Sequence, residues 1–304
     1  MPPIEIRPFR RDDRDQLTGL VNAHVAAVIP GITVSVNAVL SQLEREPGEA
    51  VTDPWVIERK TLVAIENQSL AAAAHLHRYG DTENIGPDYR DAGSIHWLLF
   101  GRAHDDAADA LMSECLAVMD GWKVRIQYAG GELPSVATYG VPSCWPHIRD
   151  LFVRSGFVNP ARPTPYEIIL AIEVARLPTT TVPPIDGLEV ERMLGSSGTR
   201  FQAVLAGESV GIIEVELRSV SDIRSRQFGW ADIGNLWVHE DHRRQGIGSW
   251  LLGIAADWLR LGGVERLLTY NLPSETNELA FVTHHGFREL VRTERGWTRG
   301  PHSE

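Results

Sequence analysis

The stretch LWVHEDHRRQGIGSWLL (Leu236–Leu252) decides the reading of this chain. It passes from an apolar strand, through a charged loop, into an amphipathic helix, and the turn between them is Arg243-Arg244-Gln245-Gly246-Ile247-Gly248. Such a turn is an anion cradle. The first amides of a helix have no intrahelical partner, and the helix dipole places about half a positive charge beside them. Glycines at 246 and 248 remove Cβ atoms, so that a phosphate can approach the backbone, and two arginines add cationic donors. A dinucleotide fingerprint would need a further glycine where Leu251 stands, and a P-loop would need Gly-Lys-Ser/Thr; both are absent.

Outward from this stretch the chain reads as two related halves. The segment IHWLLFGRAHDDAADALMSECLAVMDGW, from Ile95, also runs from an apolar strand into a helix, with Leu111, Cys115, Met119 and Trp122 at helical spacing. Each half later has a helix ending in Gly-Phe: Gly156-Phe157 in LFVRSGF and Gly286-Phe287 in FVTHHGF. The repeated order points to a duplicated domain. Between the halves lies ARLPTTTVPPIDG (Ala175–Gly187), whose prolines continue neither a helix nor a central strand. The expected organisation is a domain over 1–174, a linker over 175–187 and a domain over 188–304.

In the first half, strands are expected near Glu5–Pro8, Thr61–Glu66, Leu70–His77 and Ile95–Phe100, and at Tyr166–Val174. Its helices are expected at Arg14–Val28, Ala38–Arg45 and Ala107–Trp122. The second half offers strands at Leu188–Met193, Phe201–Ala206, Ser209–Leu217, Trp230–Val238 and Arg266–Tyr270. Its helix from Gly246 to Leu261 should bury Leu251, Ile254, Ala255 and Trp258. The two early helices of the first half have no counterpart there, since the next strand follows Met193 closely. Strands and helices in this order give an α/β (α+β) fold with mixed sheets.

Composition narrows the function. With 304 residues, 43% hydrophobic and 23% charged, the chain is an ordinary globular protein of about two domains. No apolar run is long enough to span a membrane, and MPPIEIRPFR lacks the apolar core of a secretory signal. Two cysteines, Cys115 and Cys144, make neither a disulfide framework nor a zinc cluster, so no metal is expected and a reducing cytoplasm is the expected home. A net charge of −11 argues against a nucleic-acid partner and suits a cationic acceptor. Lys60 and Lys123 are the only lysines among 29 basic residues, an arginine bias read as the mark of a GC-rich, bacterial genome.

The Leu236–Leu252 stretch resembles motif A of the GNAT superfamily of N-acetyltransferases, Arg/Gln-x-x-Gly-x-Gly/Ala, with Arg243, Gly246 and Gly248 at the signature positions. FVTHHGF resembles the family's terminal helix and Gly-Phe step. The resemblance implies two tandem GNAT-like domains, each a mixed central sheet flanked by helices, the second holding acetyl-coenzyme A as cosubstrate. It places the pyrophosphate on the amides around Arg244, Gln245, Gly246, Ile247, Gly248 and Ser249. The pantetheine arm would run along Leu236, Trp237 and Val238, with Asn271 a further contact.

In the first half, aligning Trp97–Phe100 with Leu236–His239 sets His104, Ala107 and Asp109 opposite Arg243, Gly246 and Gly248. A carboxylate there repels pyrophosphate, so this half is expected not to take the cofactor.

Acetyl transfer to an amine needs a base, because a free alkylamine has a pKa near 10. The family often uses an acid eleven residues before the signature arginine, here Asp232; Glu214 is the second candidate. The tyrosine acid common in the family would fall at Val282, so Tyr270, Ser249 and His284 are the substitutes. The expected reaction is direct attack by a small-molecule amine, with an oligomer possible. A non-catalytic acyl-coenzyme A-binding or regulatory protein is the alternative.

Overall fold

A computed structural model describes residues 3–44, 55–159, 166–179, 182–196, 198–217 and 229–300. These residues form two compact units: one gathers those up to Glu167 and from Val291 onward, the other those from Ile168 to Leu290. Arg45, Thr180 and Thr181, each part of an expected element or linker, lie outside the described residues.

In chain order the first unit has β1 (Glu5–Pro8), α1 (Arg14–Val28), α2 (Val36–Leu43), β2 (Val56–Glu66), β3 (Ser69–Tyr79), β4 (Ala92–Phe100), α3 (Asp105–Gly121), β5 (Ile126–Ala129), β6 (Val141–Pro142) and α4 (Pro146–Arg154). Helix α1 buries Leu17, Val21, Val25 and Val28, one stripe at helical spacing. Helix α2 starts two residues earlier than its periodicity suggests, because the Ser35 hydroxyl accepts from the Ala38 amide at 3.1 Å and fixes the start.

The second unit has β7 (Tyr166–Glu173, of which Ile168 onward belongs here), β8 (Leu188–Leu194), β9 (Thr199–Leu205), β10 (Glu208–Leu217), β11 (Trp230–Val238), α5 (Ile247–Leu261), β12 (Arg266–Asn271) and α6 (Thr276–His284). Strand β13 (Arg288–Glu294) follows, and β14 (Trp297–Arg299) ends the described chain. Among the described residues no helix stands between β8 and β9, and Gly195 N–H bonds Gly198 O at 2.8 Å.

Each sheet borrows a strand out of sequence order. The first unit's sheet runs β1-β2-β3-β4-β5-β14, with β14, the last strand of the chain, antiparallel to β5 through Trp297 opposite Ala129. In the second unit β7, which precedes β8, lies antiparallel to β12 from Arg266 opposite Glu173 to Asn271 opposite Ile168.

The duplication is visible in matched local structure. Both units run strand–helix–strand–helix to a glycine in the left-handed region, Gly156 (φ +83°) and Gly286 (φ +91°). In both, the following phenylalanine is buried, and its amide bonds back into the helix: Phe157 to Phe152 O at 3.0 Å, Phe287 to Val282 O at 3.1 Å.

Helix α5 departs from the expected packing. Leu251 and Ala255 are buried as its periodicity implies, together with Trp250, Leu252, Ala256 and Leu259, but Ile254 and Trp258 are half-exposed. The buried stripe is therefore rotated toward Leu252 and Ala256, and Trp258 keeps an edge contact with Phe201, their centroids 6.0 Å apart. Among the described residues no helix is long and apolar enough to cross a membrane.

Candidate active site

The site grows out of strand β11. It pairs antiparallel with β10, but the register slips: Glu214 faces Asn235 and Val215 faces Ile233, so Gly234 is an extra residue and forms a bulge. On its other side β11 pairs in parallel with β12 only through Trp230, Ala231 and Asp232. Beyond Asp232 the two strands part, β11 continuing to Val238 and β12 to Asn271 without a shared ladder. Past that point the facing backbone groups of β11 and β12 are not joined in a ladder.

The turn after β11 closes one end of this region. Arg243 donates from Nε to the Val238 carbonyl at 2.9 Å, and Gln245 donates to Asp241 O at 3.1 Å. Arg244 (φ +63°) and Gly246 (φ +87°) both adopt left-handed backbone, so the chain doubles back and presents the first amides of α5 outward. Arg243, Arg244 and Gln245 are exposed, whereas Ile247 buries its side chain and offers only its backbone. A Cβ on Gly248 would sit 3.3 Å from Phe281 and 3.7 Å from Val238, so glycine there keeps the helix start open. Ser249 and His285 share a hydrogen bond of 2.9 Å, Oγ to Nε2, and burial lowers the His285 pKa.

Of the remaining candidates on β11, Leu236 and Val238 are half-buried and Trp237 is 41% exposed. Asn271 is buried at the end of β12, accepting from Thr269 Oγ1 and donating to Glu275 Oε2, both at 3.4 Å. Val282 lies in the core.

The two acids differ in setting. Asp232 is 3% exposed, at the point where β11 and β12 part, and receives a hydrogen bond from the Tyr270 phenol at 3.2 Å. Glu214 is buried on β10 and clamped: Arg200 Nε donates to Oε1 at 2.6 Å, and Ser196 donates from its amide at 3.3 Å and its hydroxyl at 3.2 Å. Burial alone would raise the Glu214 pKa, but Arg200 and Ser196 outweigh it and hold the carboxyl below its ordinary value. Arg200 carries no signal in the sequence, because only the strand register places it opposite Glu214.

The first unit repeats the bulge and then diverges. His75 faces Trp97 and Leu76 faces Ile95, leaving His96 as the extra residue. Strands β4 and β5 part after Ile95, yet there the following loop fills the gap: Gly130 N–H bonds Ile95 O at 2.9 Å and Glu132 N–H bonds His96 O at 3.3 Å. The bulges also correct the ungapped alignment of the halves. Phe100 corresponds to Val238, and the connection to α3 is only residues 101–104, against 239–246 before α5. The first turn of α3 then sets Asp105 and Asp106 where α5 has Ile247 and Gly248. Asp109 lies further along α3 and pairs with Arg154 at 2.8 Å. Among the described residues no cluster of three side chains is arranged to hold a metal ion.

Residues 170–287 match the Acetyltransferase (GNAT) family. No curated protein matches the sequence. Two solved structures share the fold along nearly the whole chain. A tandem GNAT protein from the clavulanic acid biosynthesis pathway is 15% identical with a TM-score of 0.66, the match covering 98% of each chain. A GCN5-related N-acetyltransferase from Sphaerobacter thermophilus is 13% identical with a TM-score of 0.61, over 98% of this chain and 95% of that one. Residues 170–287 are thus similar to the GNAT acetyltransferase family, and nearly the whole chain shares the fold of a tandem GNAT protein.

Proposed function

We propose that the protein moves an acetyl group from acetyl-coenzyme A to the amine of a small molecule, in the second unit, by direct attack. The observation that carries this reading is the parting of β11 and β12 at Asp232, beside the open start of α5. The pyrophosphate would rest on the amides around Gly246–Ser249, with Arg243 and Arg244 beside it. The pantetheine amides would pair with the freed backbone of Leu236–Val238, and a backbone N–H near Val238 would polarise the thioester carbonyl.

Asp232 is the proposed base. The amine must lose a proton before or as its nitrogen bonds the carbonyl carbon, and Asp232 takes that proton. The carbon–sulfur bond then breaks, and the thiolate leaves and is protonated from solvent. Tyr270 keeps Asp232 Oδ2 oriented where β11 and β12 part. Clamped by Arg200 and Ser196, Glu214 is assigned a structural role instead.

The first unit is proposed not to load acetyl-coenzyme A, since its gap is closed by Gly130–Glu132 and the first turn of α3 is acidic. Both cysteines being free, a reducing cytoplasm is the proposed setting. The direct test is release of free thiol from acetyl-coenzyme A across a panel of amines. Release that depends on an amine supports the reading, and no release with any amine opposes it.

A further inference from the structure

Relative to the bulges, the same places in the two sheets hold different chemistry. Where the second unit has Glu214, Glu216 and Asp232, the first has His75, His77 and Ser94, with His96 at the bulge itself. Hydrogen bonding fixes how this cluster is wired. Trp97 Nε1 can only donate, so its partner at 3.0 Å is the carbonyl oxygen of Gln42. The Gln42 amide nitrogen therefore donates to Glu132 O at 2.7 Å and faces His96 Nε2 at 3.4 Å. That leaves the His96 proton on Nδ1, facing Glu132 Oε2 at 3.5 Å.

Glu132 is thus held on the loop that fills the gap, with its side chain 30% exposed. Among the described residues its only ion-pair partner is this imidazole. Burial pushes its carboxyl up to about 7. Beside it runs an aromatic band. His77 stacks on His96 at 4.4 Å, Tyr79 follows His77 at 6.4 Å, and Tyr89 packs on Tyr79 at 5.1 Å, Tyr128 at 5.4 Å and Trp55 at 5.9 Å. Tyr89 is 42% exposed, and Glu132 adds its charge to the burial that raises the Tyr89 phenol. His77 is 5% exposed, yet among the described residues its Nδ1 has no hydrogen-bond partner. Arg295, whose charge reaches Glu132, is engaged over the Tyr139 ring at 3.9 Å and with Glu167 at 3.6 Å.

We propose that the first unit holds a ligand site of its own at Glu132, for an organic ammonium ion with an apolar or aromatic body. A half-buried carboxyl facing a single imidazole at 3.5 Å gains from a cation, and aromatic faces attract the same charge through their quadrupoles. An uncharged alcohol of the same shape offers neither interaction. The site does not depend on acetyl transfer in the second unit.

The test is calorimetric titration of the full chain with benzylamine hydrochloride, and with benzyl alcohol as the uncharged counterpart. One saturable benzylamine site is expected in the Asp232→Asn chain, which isolates it from the second unit. Benzyl alcohol should bind at least about tenfold more weakly, and Glu132→Gln should weaken benzylamine by about tenfold or more. Tyr89→Ala, at an exposed ring, should weaken it about fivefold and guards against a Glu132 variant that misfolds. Unchanged benzylamine affinity in Glu132→Gln or Tyr89→Ala, equal binding of benzyl alcohol, or no saturable binding would overturn the proposal. Acetyl-coenzyme A titration of Glu132→Gln should match the parent chain, so failure here is separable from failure of the acetyl-transfer reading.

Discussion

The Tyr270 phenol donates a hydrogen bond to Asp232 at 3.2 Å, across the two strands that part at that aspartate. Strand register explains the contact: Asp232 lies opposite Leu268 on β12, and Tyr270 is the next residue of the same face. If Asp232 is the base, Asp232→Asn should lower amine-dependent thiol release by about 100-fold or more while leaving acetyl-coenzyme A affinity in place. Tyr270→Phe should cost less and shift the pH profile of the rate. Full turnover in Asp232→Asn would remove the assignment.

Glu214 predicts a different phenotype. Removing Arg200 leaves a buried carboxylate with only Ser196 as a donor among the described residues. Arg200→Met should therefore destabilise the protein by about 3 kcal/mol, read in chemical denaturation. Loss of the clamp without loss of stability would show that the pair contributes nothing to the fold.

The borrowed strand makes the second unit sensitive to where it is cut. A fragment of residues 175–304 lacks β7 and leaves β12 without its antiparallel neighbour. Such an edge exposes unpaired backbone. The fragment should aggregate or lack a cooperative thermal transition, whereas the full chain unfolds cooperatively. A soluble, cooperatively folded fragment would contradict the role given to β7.

Acidification should weaken the fold. Burial lowers the pKa of His24 and His96 to about 4, and lowers those of His75 and His77 as well. In the unfolded chain these imidazoles titrate near 6.5. Between about pH 6.5 and about pH 4 the unfolded state therefore binds more protons, and stability falls as pH falls. Glu132 acts oppositely: its carboxyl is near 7 in the fold against 4.5 for the unperturbed group, so its protonation favours the fold on acidification. With burial lowering His147 and His285 as well, six imidazoles outweigh this one carboxyl, a net loss seen as a lower Tm at about pH 5 than at about pH 7. The drop should steepen in Glu132→Gln. A Tm that rises on acidification would contradict the neutral, buried state of the imidazoles.

Much of this architecture was legible because it is written in local pattern. The helical stripe of α1, the alternating strands and the Gly-Phe steps after α4 and α6 each carry their own signal. The glycines at 246 and 248 also announce an open helix start. What stayed hidden depends on register. A bulge such as Gly234 or His96 has no mark in a single sequence, yet it decides which residues of the two halves correspond. An ungapped alignment places Asp109 against Gly248, while the shorter connection to α3 puts Asp106 there. The ties of Arg200 to Glu214 and of Gln42 to His96 join residues distant in sequence, and the partners of β7 and β14 are set by the whole sheet.

The second unit alone is proposed to load acetyl-coenzyme A, at the start of α5. Calorimetric titration of the full chain with acetyl-coenzyme A, beside a Gly248→Asp variant, tests it most directly. A carboxylate at 248 would meet the pyrophosphate and crowd Phe281, 3.3 Å from the added Cβ. One site per chain is expected, lost in the variant. Two sites per chain, or a site that survives Gly248→Asp unchanged, would contradict it.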